Sequence, residues 1–330
     1  MTLRPFRPYP LTSGGHRQTL LGYWLRRLMQ WPLPTEDLVV HASDGAKLLL
    51  RASWQAGPRE ASPALVLIHG LGGGDGSGYA LCTAELAYRL GWHVLRMNLR
   101  GAGDSVHLCP RLYHAGLEGD LVAALQAAVQ ATDRVAVVGF SLGAALTVLA
   151  VGRSRSALPS GLLGAVGVSP PLDLAACAAA LDLPLNRPYQ RSFLRGLSDA
   201  YRLHQRLAPE RYQRGREHGL RTLRQFDERI TAPYGGFRDA ADYYARSSAG
   251  PHLAAITHPT LLLASADDPM IPAQSLTRWA RSSAVCLELL PTGGHVGFVA
   301  PTAAPGSFWA AERALGFLEE LRGESEAALR

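Results

Sequence analysis

The stretch Val135-Ala136-Val137-Val138-Gly139-Phe140-Ser141-Leu142-Gly143-Ala144-Ala145-Leu146 decides how the chain is read. Val135–Val138 is a short apolar run, which predicts a strand. Leu142–Val151 is rich in Ala and Leu, which predicts a helix. The joint between them is G-x-S-x-G, and a strand–turn–helix context is what that motif needs. The reason is steric. A serine on so sharp a turn brings neighbouring segments close, and glycines at 139 and 143 remove the Cβ atoms that would clash. The Ser141 hydroxyl then stands above a sheet. The helix N-terminus beside it favours developing negative charge.

Outward from this turn, continuous apolar runs recur at Ala64–Ile68, His93–Met97, Ala165–Val168, Thr260–Ala264 and Val285–Leu290. Such runs suit strands buried on both faces of a parallel sheet. Helical patterns at Ala80–Leu90, Gly119–Gln130 and Pro272–Ala280 alternate with them, as in βαβ units. Leu38–His41 and Lys47–Arg51 flank a Ser43-Asp44-Gly45 turn and predict a hairpin. Phe308–Leu321 predicts the last helix, and residues 323–330 read as a frayed tail. The expectation is one α/β domain over 1–330, with a mostly parallel central sheet flanked by helices.

Two segments depart from the alternation. Residues 1–35 are rich in Pro, Arg and aromatics and read as an arm. Thr19–Trp31 inside it looks helical, with Leu20, Trp24, Leu25 and Leu28 on one face. That face predicts a helix packed on the body. Its Trp and Arg content also fits an interfacial helix and peripheral membrane contact, the less favoured reading. Residues 172–256 are too long for a structureless loop and read as a helical cap over the sheet's C-terminal edge. Arg187, Arg191, Arg195, Arg202, Arg206, Arg211, Arg214 and Arg216 within it suggest a solvated helix face. Leu181, Leu183, Leu185, Phe193 and Leu197 are its candidates for an apolar substrate wall.

A serine hydroxyl needs a base to become a nucleophile. His295, in Gly293-Gly294-His295-Val296-Gly297 after the last strand, is the candidate base. Asp267 and Asp268 follow the preceding strand. Asp268 begins D-x-x-x-P with Pro272 and is chosen as the acid that orients the imidazole. Asp267 reads as a loop residue. The order Ser…Asp…His is that of α/β hydrolases. His69-Gly70-Leu71-Gly72-Gly73-Gly74 follows the strand at 64–68. In that fold an N–H from this loop and the N–H after the nucleophile form the oxyanion hole, so Leu71 and Leu142 are the expected donors. His69 is read as ordering the loop. Asn98–Ser105 forms another loop at the same edge, with a structural role. Asp120 is read as a helix N-cap.

Composition narrows the classes. The formal charge is +6, carried by arginine, since Lys47 is the sole lysine. No basic block interleaves with aromatics, so no nucleic-acid partner is expected. Cys82, Cys109, Cys177 and Cys286 lack metal or redox spacing and read as free thiols in a reducing compartment. No cofactor and no metal is implied. No apolar run reaches the roughly 20 residues of a spanning helix. Met1–Pro10 lacks a signal-peptide pattern, and a cytoplasmic protein is expected.

With these residues in hand, the chain resembles the YheT-like branch of the α/β hydrolases. That branch includes ABHD-type lipid hydrolases and yeast ethyl-ester synthase/esterases. The resemblance rests on Gly15-His16-Arg17-Gln18-Thr19-Leu20, the His69 loop, Gly139–Gly143, Tyr189-Gln190-Arg191, Phe226-Asp227, Asp242-Tyr243-Tyr244, Asp267-Asp268-Pro269 and Gly293–Phe298. One departure is Ala144-Ala145, where the branch usually has Gly-Asn. The resemblance implies carboxylic-ester hydrolysis, with acyl esters or acylglycerols as substrates. The position of residues 172–256, between the strands of Ser141 and Asp268, makes Leu181 and Phe193 the candidates to lie against the acyl chain. Acyl transfer to an alcohol would use the same residues. Chemistry with a carboxylate nucleophile is disfavoured by Ser141, and a non-catalytic binding module by the presence of all three triad residues.

Overall fold

The apolar runs of the sequence become the strands of one eight-stranded sheet. A computed structural model describes residues 5–328. The strands are β1 (Glu36–His41), β2 (Lys47–Ser53), β3 (Ala64–Ile68), β4 (His93–Met97), β5 (Val135–Phe140), β6 (Leu162–Val168), β7 (Thr260–Ser265) and β8 (Val285–Leu290). Their order across the sheet is β1-β2-β4-β3-β5-β6-β7-β8. The β1–β2 hairpin joins β4 antiparallel, and every other pairing is parallel. The α/β class and the mostly parallel sheet expected from the sequence are both observed.

The helices are α1 (Gly15–Arg26), α2 (Gly78–Arg89), α3 (Glu118–Val129), α4 (Leu142–Gly152), α5 (Leu174–Leu181), α6 (Arg187–Leu207), α7 (Leu223–Phe226), α8 (Ala232–Gly235), α9 (Ala240–Ser247), α10 (Ala273–Thr277) and α11 (Trp309–Ala328). Successive strand residues feed opposite faces. Leu65 and Leu67 of β3 join a core with α2 and α11, while Val66 and Ile68 join one with α3 and α4. This is why the strands read as continuous apolar runs rather than alternating ones. Each fully buried aliphatic side chain contributes about 1.5–3 kcal/mol, so two covered faces make the centre of the sheet its most stable part.

Several details differ from the expectation. Asp120 does not cap α3. It is buried in the first turn and accepts from Arg100 Nε at 2.8 Å and Nη2 at 2.5 Å. A carboxylate this deep needs a charged partner more than a helix start needs a cap. The tail is not frayed through 328: α11 continues to Ala328. Glu326 holds its last turn by accepting from Arg134 at 2.9 Å and Arg322 at 3.2 Å. Residues 1–4 and 329–330, assigned to the arm and the tail, lie outside the described residues. The arm helix starts earlier than expected and ends at Arg26. Its apolar face points the other way: Leu20, Trp24, Leu25 and Leu28 are exposed, while Gly15, Gln18, Thr19, Gly22 and Arg26 are buried.

Between β6 and β7 the chain forms α5 to α9. Leu194, Tyr201, Tyr212, Phe226 and Ile230 give this insertion an apolar cluster of its own. The arginines of α6, at 187, 191, 195, 202 and 206, are exposed. Residues 227–231 are wound as a π-helix between α7 and α8. There Asp227 is buried and accepts from Tyr244 Oη and Thr231 Oγ1, each at 2.7 Å. Burial pushes its carboxyl up to about 6, opposed by these two hydrogen bonds.

The raised value makes a stability prediction. The folded form holds the proton more tightly than the unfolded chain. The resulting stabilisation is therefore present below the ordinary value of 3.8 and lost as pH rises through about 6. Asp227→Asn does not titrate. Between pH 4 and 7 the stability of Asp227→Asn relative to the parent should rise, by up to about 3 kcal/mol. Urea denaturation of both proteins at each pH checks this, and a constant difference would contradict it.

Candidate active site

Ser141 sits between β5 and α4 with φ 50° and ψ −116°. A side chain other than glycine in that region is strained by about 1–3 kcal/mol. The turn survives because its neighbours leave it no alternative. A Cβ on Gly139 would lie 2.3 Å from the Gly143 carbonyl oxygen. One on Gly143 would lie 2.5 Å from the Ile68 carbonyl oxygen. The Ser141 N–H donates to Val168 O at 2.9 Å, pinning the turn to β6.

The structure brings the three predicted residues together. His295 Nε2 lies 2.9 Å from Ser141 Oγ, and His295 Nδ1 lies 2.9 Å from Asp268 Oδ2. Since a carboxylate accepts, Nδ1 carries the proton and Nε2 is left to accept from the serine hydroxyl. Asp268 Oδ1 accepts from the N–H groups of Met270 at 2.8 Å and Ile271 at 3.1 Å, which fixes the carboxylate plane. Asp267 faces elsewhere. It accepts from Thr292 Oγ1 at 2.6 Å and from the Gly294 N–H at 3.0 Å. It therefore shapes the loop that carries His295 without touching the imidazole chain.

Leu142 is the first residue of α4, directly after Ser141, and Leu71 follows Gly70 on the loop after β3. A Cβ on Gly70 would lie only 3.0 Å from the Ser141 Cβ. The 69–74 loop is thus held against the serine. Tyr79 Oη and Tyr113 Oη accept from the N–H groups of Gly70 and Gly72, each at 2.8 Å. His69 Nε2 accepts from the Leu99 N–H at 3.1 Å, so its Nδ1 donates to Gly70 O at 2.7 Å. Burial pushes His69 down to about 4, so it stays neutral and acts as a brace.

Sequence reasoning missed a second set of residues. The His295 loop carries Val296 at φ 52° and Phe298 at φ 43°. It is gripped by the inner face of α1. The His295 N–H donates to Thr19 Oγ1 at 2.9 Å. Gln18 Oε1 accepts from the Val299 N–H at 2.7 Å. The Arg26 guanidinium donates to Val296 O at 2.8 Å and also to Gly297 O. Burial lowers Arg26 to about 10, still charged at neutral pH. The signal was the 15–20 motif, a polar run on a helix whose apolar residues drew attention instead.

A cavity opens beside Ser141 and His295. Leu71, Leu142, Leu181, Phe193, Leu197 and Met270 are among its walls. Leu183 and Leu185, grouped with them in the sequence reading, are exposed and not part of the cavity. They lie in the turn before α6, whose inward side is filled by Asn186 and Gln190. His114, also lining the cavity, is held down to about 4 by burial and stays uncharged. No group of His, Cys, Asp or Glu suited to a metal ion occurs among the described residues. Cys82, Cys109, Cys177 and Cys286 are free thiols.

Residues 63–300 match the family model described as the alpha/beta hydrolase fold. The chain belongs to that family. "Putative esterase YheT" of Escherichia coli (strain K12) is 31% identical to this hydrolase over 315 residues, covering 93% of this chain and 91% of that one. The monoacylglycerol lipase of Saccharomyces cerevisiae is 28% identical over 276 residues, covering 80% of this chain and 61% of the lipase. Among solved structures, the Pyrococcus furiosus esterase Pf2001 superimposes with a TM-score of 0.58 at 16% identity, over 88% of this chain and 92% of that one. The hydrolase thus stands in the esterase- and lipase-type, YheT-like branch.

The two adjacent aspartates can be told apart by rate. Asp268→Asn should lower kcat by about 10⁴, because an amide favours the wrong imidazole tautomer. Asp267→Asn leaves the imidazole chain intact and should cost about tenfold or less, through a looser loop. Comparing kcat of the two variants on one ester decides it, and the reverse ranking would make Asp267 the acid.

Proposed function

We propose that this hydrolase cleaves carboxylic esters through an acyl-enzyme on Ser141, with His295 as base and Asp268 as orienting acid. The observation that carries the reading is the unbroken Ser141–His295–Asp268 hydrogen-bond chain at the foot of an apolar cavity. Ser141 Oγ attacks the ester carbonyl as its proton passes to His295 Nε2. The N–H groups of Leu71 and Leu142 stabilise the oxyanion, a contribution of about 3–4 kcal/mol per donor in comparable sites. His295 then returns the proton to the leaving alcohol. Water, activated by the same imidazole, releases the acid and restores Ser141. Asp268 keeps its negative charge throughout and stabilises the imidazolium.

The apolar walls support esters with a hydrocarbon acyl part, and the esterase and lipase names of the relatives agree with that class. In this reading residues 172–256 act as a cap, and Leu181 and Phe193 bound the acyl chain. Each buried CH₂ adds about 0.8 kcal/mol.

A fluorophosphonate probe should label the parent protein on Ser141, and Ser141→Ala should lose the label and about 10⁴–10⁶ in kcat. Labelling that survives the substitution would show a different nucleophile. With p-nitrophenyl esters of increasing length, kcat/KM should rise about three- to fourfold per carbon until the cavity is full. Leu181→Ala and Phe193→Ala should move that end point to longer chains. A lowered melting temperature with an unshifted length profile would mean these side chains only pack the insertion.

A further inference from the structure

Helix α1 is built inside out. Its buried face is Gly15, Gln18, Thr19, Gly22 and Arg26, spent on the His295 loop. Its apolar side chains face water: Tyr23 is 70% exposed, Trp24 61%, and Leu28 just beyond its end 76%. An ordinary surface helix has the opposite arrangement. A second exposed apolar element, Leu183 and Leu185, lies in the turn before α6. The two are tied together. His16 stacks on Tyr189 with centroids 5.7 Å apart and an interplanar angle of 3°, and its Nδ1 lies 3.0 Å from Tyr189 Oη. Both also sit against the loops that carry the acid and the base. Asn186 Nδ2 donates to Pro269 O at 2.5 Å, and Gly15 packs on the Asp267 carbonyl.

The charge along these two segments is mostly positive. No Asp or Glu occurs before Glu36, whereas Arg17 and Arg27 stand exposed in and beside α1. In the second segment Asp182 precedes Leu183, and the charged residues that follow, Arg187, Arg191 and Arg195, are all exposed. The Arg27 guanidinium lies 4.1 Å from the Trp24 ring centroid, an amphipathic pairing suited to the depth of lipid headgroups. Among the described residues no helix is long and apolar enough to cross a bilayer, so an in-plane contact is the available geometry.

We propose that the outer face of α1, together with the Leu183–Leu185 turn, docks this protein onto membranes containing anionic phospholipid. Leu20, Trp24, Leu25 and Leu28 enter the headgroup–acyl boundary, and Arg17, Arg27 and Arg187 meet lipid phosphates. The esterase reading is not required for this contact. It gains from it, because the loops of Ser141's partners then lie beside the lipid surface.

The test is cosedimentation of the full chain with vesicles of phosphatidylcholine alone or mixed with phosphatidylglycerol. Binding to the mixed vesicles, weakened by added salt, is expected. Trp24→Ser combined with Leu28→Ser should reduce that binding about tenfold or more with an unchanged melting temperature. Leu108→Ser, on an unrelated exposed site, should bind like the parent. The proposal is overturned if the parent binds neither vesicle, or if the α1 double variant binds as well as the parent. It is also overturned if light scattering shows a parent dimer that this variant dissolves, since the face would then serve a second copy of the chain.

Discussion

The close approach of α4 to β5 at Gly139 and Gly143 is the constraint from which the rest follows. At 2.3–2.5 Å from backbone oxygens, no Cβ fits at either position. Only with both glycines can the helix begin directly above the strand end and hold Ser141 at φ 50°. That conformation is disfavoured for a serine. It is maintained by the two-faced core of β3, β5 and β6, whose side chains are almost wholly buried. The strain at one residue is thus offset by packing spread over the centre of the sheet, and the hydroxyl needs no rearrangement to meet His295.

The His295 side of the site is organised differently. Ser141 stands on regular elements, whereas His295 stands on a loop with two further left-handed residues. Such a loop does not hold itself. Arg26, Gln18 and Thr19 supply the missing partners for its backbone. Burying Arg26 carries a desolvation cost, which its lowered basicity records. Carbonyl oxygens and the Phe308 ring, 4.0 Å from the guanidinium, offset part of it. The arm is therefore structural support for the site, not an appendage.

What was legible in the sequence followed from short-range rules. Strands buried on both faces leave continuous apolar runs, and glycines flanking a serine leave a local motif. The D-x-x-x-P spacing, usual for the acid in this fold, marked Asp268 rather than Asp267 as the candidate, and Asp268 is the one beside His295 Nδ1. Long-range requirements were not legible. Asp120 looked like a cap because its partner Arg100 lies on another segment. Leu183 and Leu185 looked like wall residues because composition does not tell which side of a short turn faces inward. In α1 the usual rule failed outright, since Arg26 is buried and Trp24 exposed. Local consistency breaks where a helix serves something other than its own core.

Arg26 and Val296 are separated by 270 positions, and Gln18 and Val299 by 281. α1 is therefore made well before its polar partners, with β3 to β8 between them in the chain. Until then the nascent chain can assemble β3 to β6 and set the Ser141 turn while His295 has not been made. Under the proposed mechanism, Ser141 therefore gains His295 as its partner only when the later-made loop meets the earlier-made helix. The clasp acts as a timing device: before it closes, the chain carries a positioned Ser141 hydroxyl without the imidazole that meets it in the folded protein.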